Sequence, residues 1–351
     1  MDGPARHRRG IVADWAELSE EELLKLRVRD LDLRIEGSEL EERVRGLYRE
    51  LEQKGLRRFR PKVYLGDEWF SPDGVPAIAI PFYLAHPRLK ALEKKFMLEV
   101  EGGTEEWCLK LLRHEAGHCF DHAYRVSRTR RWKELFGRPS DEYDPDTYRP
   151  RPYSRSYVLH LDNWYSQSHP DEDFAETFAV WLNPGSDWPR RYARWTGALQ
   201  KLEYVERLAR RYADREPPVA GGALHCSASR MSTTLDRFYR RRIRDNREHY
   251  PDFFDGDLRK IFDAGPEPEK SDLAAGRFLK RNRKGIVDTV SRWTGEKKYT
   301  IDSLVKKLAA RCDENGLRLG KTEAQTNLEV AAYLATLVTH YLFTGQFKRT
   351  V

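Results

Sequence analysis

Two histidines and a glutamate stand within one short segment, Arg113-His114-Glu115-Ala116-Gly117-His118. A spacing of four residues places His114 and His118 on one face of a helix, one turn apart. Two imidazoles in that arrangement can bind one zinc ion, and Glu115 can then act as a general base on a water at the metal. The segment therefore predicts a metal site suited to hydrolysis.

A catalytic zinc ion needs a third protein ligand and an open fourth position. Metzincins would have a glycine and a histidine just downstream, but Asp121 and Tyr124 stand at those positions, which excludes that class. His122 lies eight residues beyond His114, so the two side chains cannot easily converge on one ion from a straight helix. The third ligand is therefore expected from another element.

A second helix candidate carries two carboxylates four residues apart, Glu172 and Glu176. One would bind the ion, and the other would accept the second N–H of a ligand histidine and so fix its tautomer. The spacing leaves these two roles exchangeable, and we assign Glu172 as the ligand and Glu176 as its outer partner. Ala175 and Ala179 beside them would allow the two helices to approach closely.

The elements that must position these residues can be predicted from periodicity and end signals. A long helix is expected from Thr104 to about Val126. The second is expected to begin near Ser168, with Ser168 as its cap, and to stop at Asn183. Residues 137–165 between them are rich in Pro and Tyr and predict a long irregular connection, which in compact domains is usually functional.

Two strand-like runs precede the long helix, PKVYLG and VPAIAIPFYL, with the turn signal SPDG between them. Pro76 and Pro81 cannot donate hydrogen bonds to a β ladder, so the second run is expected at a sheet edge.

The segment HEAGH followed by HPDEDFAETFAVWL resembles the gluzincin class of zinc metallopeptidases. It is similar to bacterial zinc-binding metallopeptidases and to lethal-factor-like catalytic domains. The resemblance covers roughly residues 60–185 and implies a zincin-like α+β fold, with Glu172 as the third ligand and Glu176 as its companion. A glutamate rather than an aspartate at position 176 agrees with the lethal-factor branch.

The same resemblance implies further roles around the metal. Tyr165, seven residues before Glu172, would point at the substrate carbonyl, and the AIAIPFYL run would pair with an extended peptide. His169 is a second candidate donor to the oxyanion, or else simply a residue at the helix start. The implied reaction is zinc-dependent hydrolysis of peptide bonds, with one zinc ion per chain and Glu115 as general base.

A length of 351 residues suggests about two domains. We predict a polar N-terminal arm (1–30), a zincin-like metallopeptidase domain (31–215), a linker (216–225) at the segment REPPVAGGAL, and an all-helical domain (226–351). The net charge of +7 is uneven, because the residues from Cys226 onward contain 25 Lys and Arg against 17 Asp and Glu. The last third is therefore the basic part of the chain.

One segment of that basic third, LDRFYRRRIRDNREHY, predicts an amphipathic helix with arginines along one face. We call Arg237, Arg240, Arg241, Arg244 and Arg247 the arginine stripe. Such a face can bind nucleic acid or an acidic protein, although a solvated face is the more ordinary explanation. A nucleic-acid-associated protein and a zinc-stabilised interaction domain without turnover are therefore the alternatives to a zinc endopeptidase.

The cysteines are far apart and form no C-x-x-C pair, which favours free thiols in a reducing compartment: Cys108, Cys119, Cys226 and Cys312. No apolar run is long enough to span a bilayer, and the basic start lacks the apolar stretch of a secretory signal. We therefore expect a cytoplasmic protein without a membrane partner.

Overall fold

The computed structural model describes residues 15–141, 150–245, 254–263 and 273–344. Of these, residues 15–96, 100–141 and 151–242 form one compact unit, and residues 97–99, 150, 243–245, 254–263 and 273–344 form a second. The segment predicted as a linker, 216–225, lies within the first unit. After the segment 151–242 the chain belongs to the second unit from residue 243, because Leu235, Phe238 and Tyr239 still pack in the core of the first.

Helices predominate in the first unit, and two short strands accompany them. The strands are β1 (Lys62–Gly66) and β2 (Ala77–Pro81). The helices, in chain order, are α1 (Glu20–Lys25), α2 (Glu39–Gln53), α3 (Pro87–Met97), α4 (Glu105–Tyr124), α5 (Arg130–Phe136), α6 (Pro170–Leu182), α7 (Trp188–Arg191), α8 (Thr196–Tyr212) and α9 (Leu235–Asp245). This composition fits the predicted α+β class.

The two strands pair in parallel, with a register that runs from Lys62 opposite Ala77 to Gly66 opposite Pro81. The outer side of β2 is paired by the chain itself. The Ala77 N–H donates to the Val75 carbonyl at 2.8 Å, and the Ala79 N–H donates to the Phe70 carbonyl at 2.8 Å. These two N–H groups already donate to carbonyl groups of the segment before β2, so they cannot pair with a peptide substrate. The expectation that this run pairs with a substrate is therefore wrong at Ala77 and Ala79.

The two helices predicted to hold the metal are both present. Helix α4 begins after Thr104, whose hydroxyl accepts the Trp107 N–H. Helix α6 begins at Pro170 and ends before Asn183, but its cap is His169 rather than the predicted Ser168. The Ser168 hydroxyl instead donates to the Tyr165 carbonyl at 2.7 Å, so it serves the preceding turn.

Aromatic packing holds α4 and α6 against each other. Phe120 of α4 lies with its ring centroid 5.2 Å from that of Phe178 of α6, and both side chains are completely buried. Phe174 and Trp181 of α6 are 1% exposed and belong to the same core. The apolar face of α6 therefore lies in the core, as its sequence predicts.

The described part of the second unit is helical and has its own apolar core. Its helices are α10 (Asp255–Ile261), α11 (Ala275–Thr294), α12 (Lys298–Glu314) and α13 (Glu323–Thr344).

All four cysteines of the chain are free thiols, three of them buried and Cys226 exposed. Across the described ranges, every helix falls short of the length and apolar character that crossing a bilayer requires.

Candidate metal centre

Three side chains from two helices converge on one point in the first unit. The Nε2 atoms of His114 and His118 lie 3.1 Å apart. Oε2 of Glu172 lies 3.1 Å from the first of these nitrogens and 3.2 Å from the second. The predicted set of two histidines from α4 and one glutamate from α6 is therefore assembled, and we call these three residues the ligand cluster.

The geometry of the ligand cluster fits a zinc ion. Two ligands of a tetrahedral zinc ion, each about 2.0 to 2.1 Å from the metal, lie about 3.3 to 3.4 Å from each other. The three distances within the cluster are close to that value. The donors are two imidazole nitrogens and one carboxylate oxygen, a set that leaves one tetrahedral position open, as in catalytic zinc sites.

Glu176 is the outer partner of the cluster. Its Oε1 lies 2.8 Å from Nδ1 of His114, and its Oε2 accepts the Leu161 N–H at 2.7 Å. A carboxylate in this place accepts the Nδ1–H of the histidine, so Nε2 keeps its lone pair for a metal. Glu172 thus lies within the ligand cluster, and Glu176 lies outside it beside His114.

Glu115 lies beside the cluster and is 6% exposed. Among the residues that the structure describes, no group forms a hydrogen bond with its buried Oε2. A buried carboxylate oxygen without a partner is costly, so native proteins rarely keep one without a functional reason. This oxygen is therefore available to a water or a substrate at the metal.

The electrostatics of the cluster favour a cation. Burial lowers the pKa of His114, but its hydrogen bonds with Glu172 and Glu176 outweigh burial and raise that pKa well above the usual value. Burial raises the pKa of Glu172, but the neighbouring His118 and His114 hold it well below the usual range. The carboxylates thus favour positive charge on the imidazole side of the cluster, and a bound zinc ion would supply that charge in place of protons.

Burial also acts on Glu115, and it raises the pKa of that carboxyl group. A raised pKa makes a carboxylate a better proton acceptor near neutral pH, which suits a general base.

Further contacts hold helix α4 in place next to the cluster. Arg113 donates two hydrogen bonds of 2.7 Å to Glu50 of α2, and both side chains are largely buried. Nε2 of His160 lies 2.9 Å from the Lys110 carbonyl, one helical turn before His114. These contacts fix α4 to α2 and to the segment before Tyr165.

Tyr165 lies next to the cluster, with its ring centroid 5.8 Å from that of His114. The two residues before it, Asn163 and Trp164, both have positive φ angles, 58° and 53°. Such angles are uncommon for residues other than glycine and concentrate at functional sites. The backbone before Tyr165 is thus held in a strained conformation.

His169 does not join the cluster. Its Nδ1 accepts the Asp171 N–H at 3.2 Å, and its Nε2 lies 3.0 Å from the Asp141 carbonyl. Both ring nitrogens are thus engaged by backbone groups, one at the start of α6 and one in the segment after α5. The predicted role as an oxyanion donor is replaced by that of a helix cap.

His122 also lies outside the cluster, as its distance along α4 predicts. Its Nδ1 is 3.2 Å from the Ser71 hydroxyl and 3.3 Å from the Val75 carbonyl. This histidine therefore joins α4 to the segment before β2.

The arginine stripe is exposed over the part that the structure describes, Arg237, Arg240, Arg241 and Arg244 on α9. Arg240 forms an ion pair of 2.8 Å with Asp236, and Arg247 lies outside the described residues. Arg242 belongs instead to the buried side of the helix, where it forms an ion pair of 2.6 Å with Glu93 of α3. A nucleic-acid or acidic protein partner for the stripe stays a prediction.

Sequence reasoning missed one residue pair next to the cluster, Asp173 and Lys201. Asp173 directly follows Glu172, and Lys201 lies on α8 with its Nζ 2.5 Å from the Asp173 Oδ2. The available signal was the position of Lys201 on the apolar face of an amphipathic helix, beside Ala198 and Leu202. A lysine at such a position requires a buried partner.

Comparison with known proteins locates one similarity, and it coincides with this site. Residues 108–186 match a family model described as "Putative zinc-binding metallo-peptidase". No curated protein and no solved structure shows a significant match to the chain. The matched segment contains the three residues of the ligand cluster together with Glu115 and Glu176, so the similarity covers the candidate zinc site.

Proposed function

We propose that this protein is a gluzincin-type zinc metallopeptidase that hydrolyses peptide bonds with Glu115 as general base. The observation that carries the proposal is the convergence of three ligand atoms beside a buried glutamate whose Oε2 has no partner among the described residues. The family match over residues 108–186 supports it independently of the geometry.

Each residue of the site has a role in this reaction. A zinc ion held by the ligand cluster would polarise a water molecule and the peptide carbonyl group. Glu115 would take a proton from the water as its oxygen bonds to the carbonyl carbon, and would deliver that proton to the amide nitrogen as the C–N bond breaks. Tyr165 would donate its hydroxyl hydrogen bond to the carbonyl oxygen as negative charge develops there.

The outer residues would keep this arrangement in place. Glu176, itself held by the Leu161 N–H, keeps the Nε2 lone pair of His114 directed at the cluster. Fixing the tautomer in advance avoids reorganisation during the reaction, which is how residues next to ligands contribute to metal sites.

The test is a peptide-library digest with zinc-loaded protein that compares the natural chain with Glu115→Gln. Glu106→Gln is the matched control, since this glutamate is exposed in the first turn of the same helix. We expect about one zinc ion per chain in all three proteins and a loss of hydrolysis of about 10² to 10⁴ in Glu115→Gln alone. The cleavage positions also distinguish endopeptidase from exopeptidase action.

Two results would contradict the proposal. Full hydrolysis by Glu115→Gln would remove the general base. Zinc bound at one per chain without cleavage of any library peptide by the natural protein would favour a zinc-stabilised interaction domain instead.

A further inference from the structure

Lys201 is a buried lysine that joins three elements of the first unit. It is 5% exposed and lies on α8. Its Nζ forms an ion pair of 2.5 Å with Asp173 of α6, and donates a hydrogen bond of 2.8 Å to the Ser156 carbonyl. The same ammonium group lies 4.2 Å from the centroid of the Tyr157 ring.

These contacts restrain the two carboxylates that α6 contributes to the metal site, those of Glu172 and Glu176. Asp173 is the neighbour of Glu172, the ligand supplied by α6. Ser156 begins the segment that leads to Leu161, whose N–H holds Glu176. One ammonium group thus fixes α6 and the segment that supports its second carboxylate.

The position of Asp173 suits control of helix rotation. Successive residues of an α-helix point about 100° apart. The hydrogen bond of Asp173 therefore lies on the side of α6 adjacent to the side that carries Glu172. Apolar packing of Phe174 and Phe178 has little directional preference, whereas a charged hydrogen bond has a defined length and direction. The ion pair therefore limits the rotation of α6 more narrowly than the core alone.

Stability alone does not explain this pair. Asp173 is 1% exposed, and within the described part of the chain its Oδ1 has no hydrogen-bond partner. Buried ion pairs with incomplete hydrogen bonding are often no more stable than apolar residues of the same size. Retaining two buried charges next to a metal ligand indicates a role at the site.

We propose that Lys201 and Asp173 are positioning residues, which orient Glu172 toward the two histidines and thereby raise the affinity of the site for zinc. The proposal rests on the zinc site of the proposed function. It concerns how tightly the metal is held and makes no claim about the reaction.

The experiment measures metal affinity with metal-free protein. Co²⁺, whose absorption spectrum reports ligand geometry, is titrated into the natural chain, Lys201→Met, Asp173→Asn and the double variant, and zinc affinity follows by competition. We expect each single variant to bind at least about tenfold more weakly, the usual effect of losing a partner next to a metal ligand, and to show an altered Co²⁺ spectrum. The double variant should bind Co²⁺ no more weakly than the single variant of lower affinity, because the two residues act as one pair.

Arg242→Met is the matched control. It breaks another largely buried ion pair of the first unit, with Glu93, on helices that carry none of the ligand cluster. We expect it to lower the melting temperature without changing Co²⁺ affinity or spectrum. If Lys201→Met does not fold, Asp173→Asn, which preserves side-chain size, decides the question.

The outcomes separate this inference from the proposed function. Folded Lys201→Met and Asp173→Asn proteins with natural Co²⁺ affinity would overturn the positioning role alone. An equal loss of affinity in Arg242→Met would also overturn it, because general destabilisation would then be the cause. A natural chain that binds neither Co²⁺ nor zinc would refute the zinc site itself.

Discussion

Gly117 of α4 lies directly against the backbone of Ala175 of α6. A Cβ atom built on Gly117 would lie 2.7 Å from the Cα of Ala175 and 3.0 Å from its carbonyl oxygen. The close contact is with backbone, which cannot move aside as a flexible side chain can. Since Gly117 stands next to His118, and Ala175 next to Glu176, the absence of a side chain at Gly117 allows the two halves of the candidate metal site to meet.

Substituting Gly117→Ala should therefore destabilise the protein and weaken zinc binding together. Alanine favours helix by about 1 kcal/mol over glycine, but overpacking a buried contact costs about 1 to 3 kcal/mol, so we expect a net loss of up to about 2 kcal/mol. Gly46→Ala on α2 is the control, because its Cβ would meet only side-chain atoms, the nearest at 3.4 Å, and it should be neutral or stabilising. Thermal unfolding of the metal-free proteins measures the stability of both variants. Equal melting temperatures of Gly117→Ala and the natural chain would contradict the role given to Gly117.

The two glutamates of α6 should differ in their effect on the metal. Glu172→Ala removes a ligand and should abolish tight zinc binding, whereas Glu176→Ala removes only the partner of His114 and should weaken binding by about 10- to 100-fold. Glu203→Ala, an exposed glutamate of α8, should change nothing. Competition with a chelator of known affinity gives the order, and a larger loss in Glu176→Ala would mean that the roles are exchanged.

Tyr165→Phe should slow hydrolysis without releasing the metal. The variant loses only a hydroxyl group, and removing one donor to a developing oxyanion lowers kcat by about 10² to 10³. Zinc content and melting temperature should stay natural, and KM should change little. Tyr153→Phe, at a tyrosine that is 78% exposed, is the control. A natural kcat in Tyr165→Phe would leave the ring next to His114 with a packing role only.

Because of His160, the free energy of unfolding should fall as the pH decreases from about 7 to about 5. Burial lowers its pKa to about 4, whereas a histidine in an unfolded chain has a pKa of about 6.5. Between these values the unfolded chain binds a proton that the folded chain does not, so the stabilisation is complete above about pH 6.5 and is lost as the pH falls toward 4. The loss from pH 7 to pH 5 should be about 2 kcal/mol.

The variant that isolates this effect is His160→Gln, whose amide N–H can still donate to the Lys110 carbonyl. In metal-free protein, denaturant unfolding at pH 7 and pH 5 should show a smaller drop for the variant than for the natural chain. Equal drops in the two proteins would assign the acid sensitivity to other groups.

The arginine stripe predicts binding of nucleic acid that weakens steeply with salt. Replacing Arg237, Arg240, Arg241 and Arg244 with glutamine should weaken binding to duplex or single-stranded DNA and reduce the slope of log K against log salt by up to about 0.9 per lost phosphate contact. Four exposed arginines away from the stripe provide a control of equal charge: Arg130, Arg131, Arg207 and Arg210. If the natural chain does not bind DNA at low salt, the prediction of a nucleic-acid partner is wrong.

The spacing of chemical groups along the chain was sufficient to predict the centre of the site. His114, Glu115 and His118 are placed by one helix, and helical geometry is local, so their common face follows from spacing alone. The same holds for Glu172 and Glu176 on α6. The two helices themselves could be located because periodicity and end signals are also properties of short segments.

Only the tertiary structure decided which glutamate joins the ligand cluster, because that depends on the rotation of α6 against α4 and not on spacing. It also moved the cap of α6 to His169, paired the outer donors of β2 within the chain, and placed Lys201 against Asp173. The ion pair joins residues 28 positions apart, so its two partners meet only when α6 and α8 pack. Local sequence determines which groups share a helix face, whereas packing determines what that face meets.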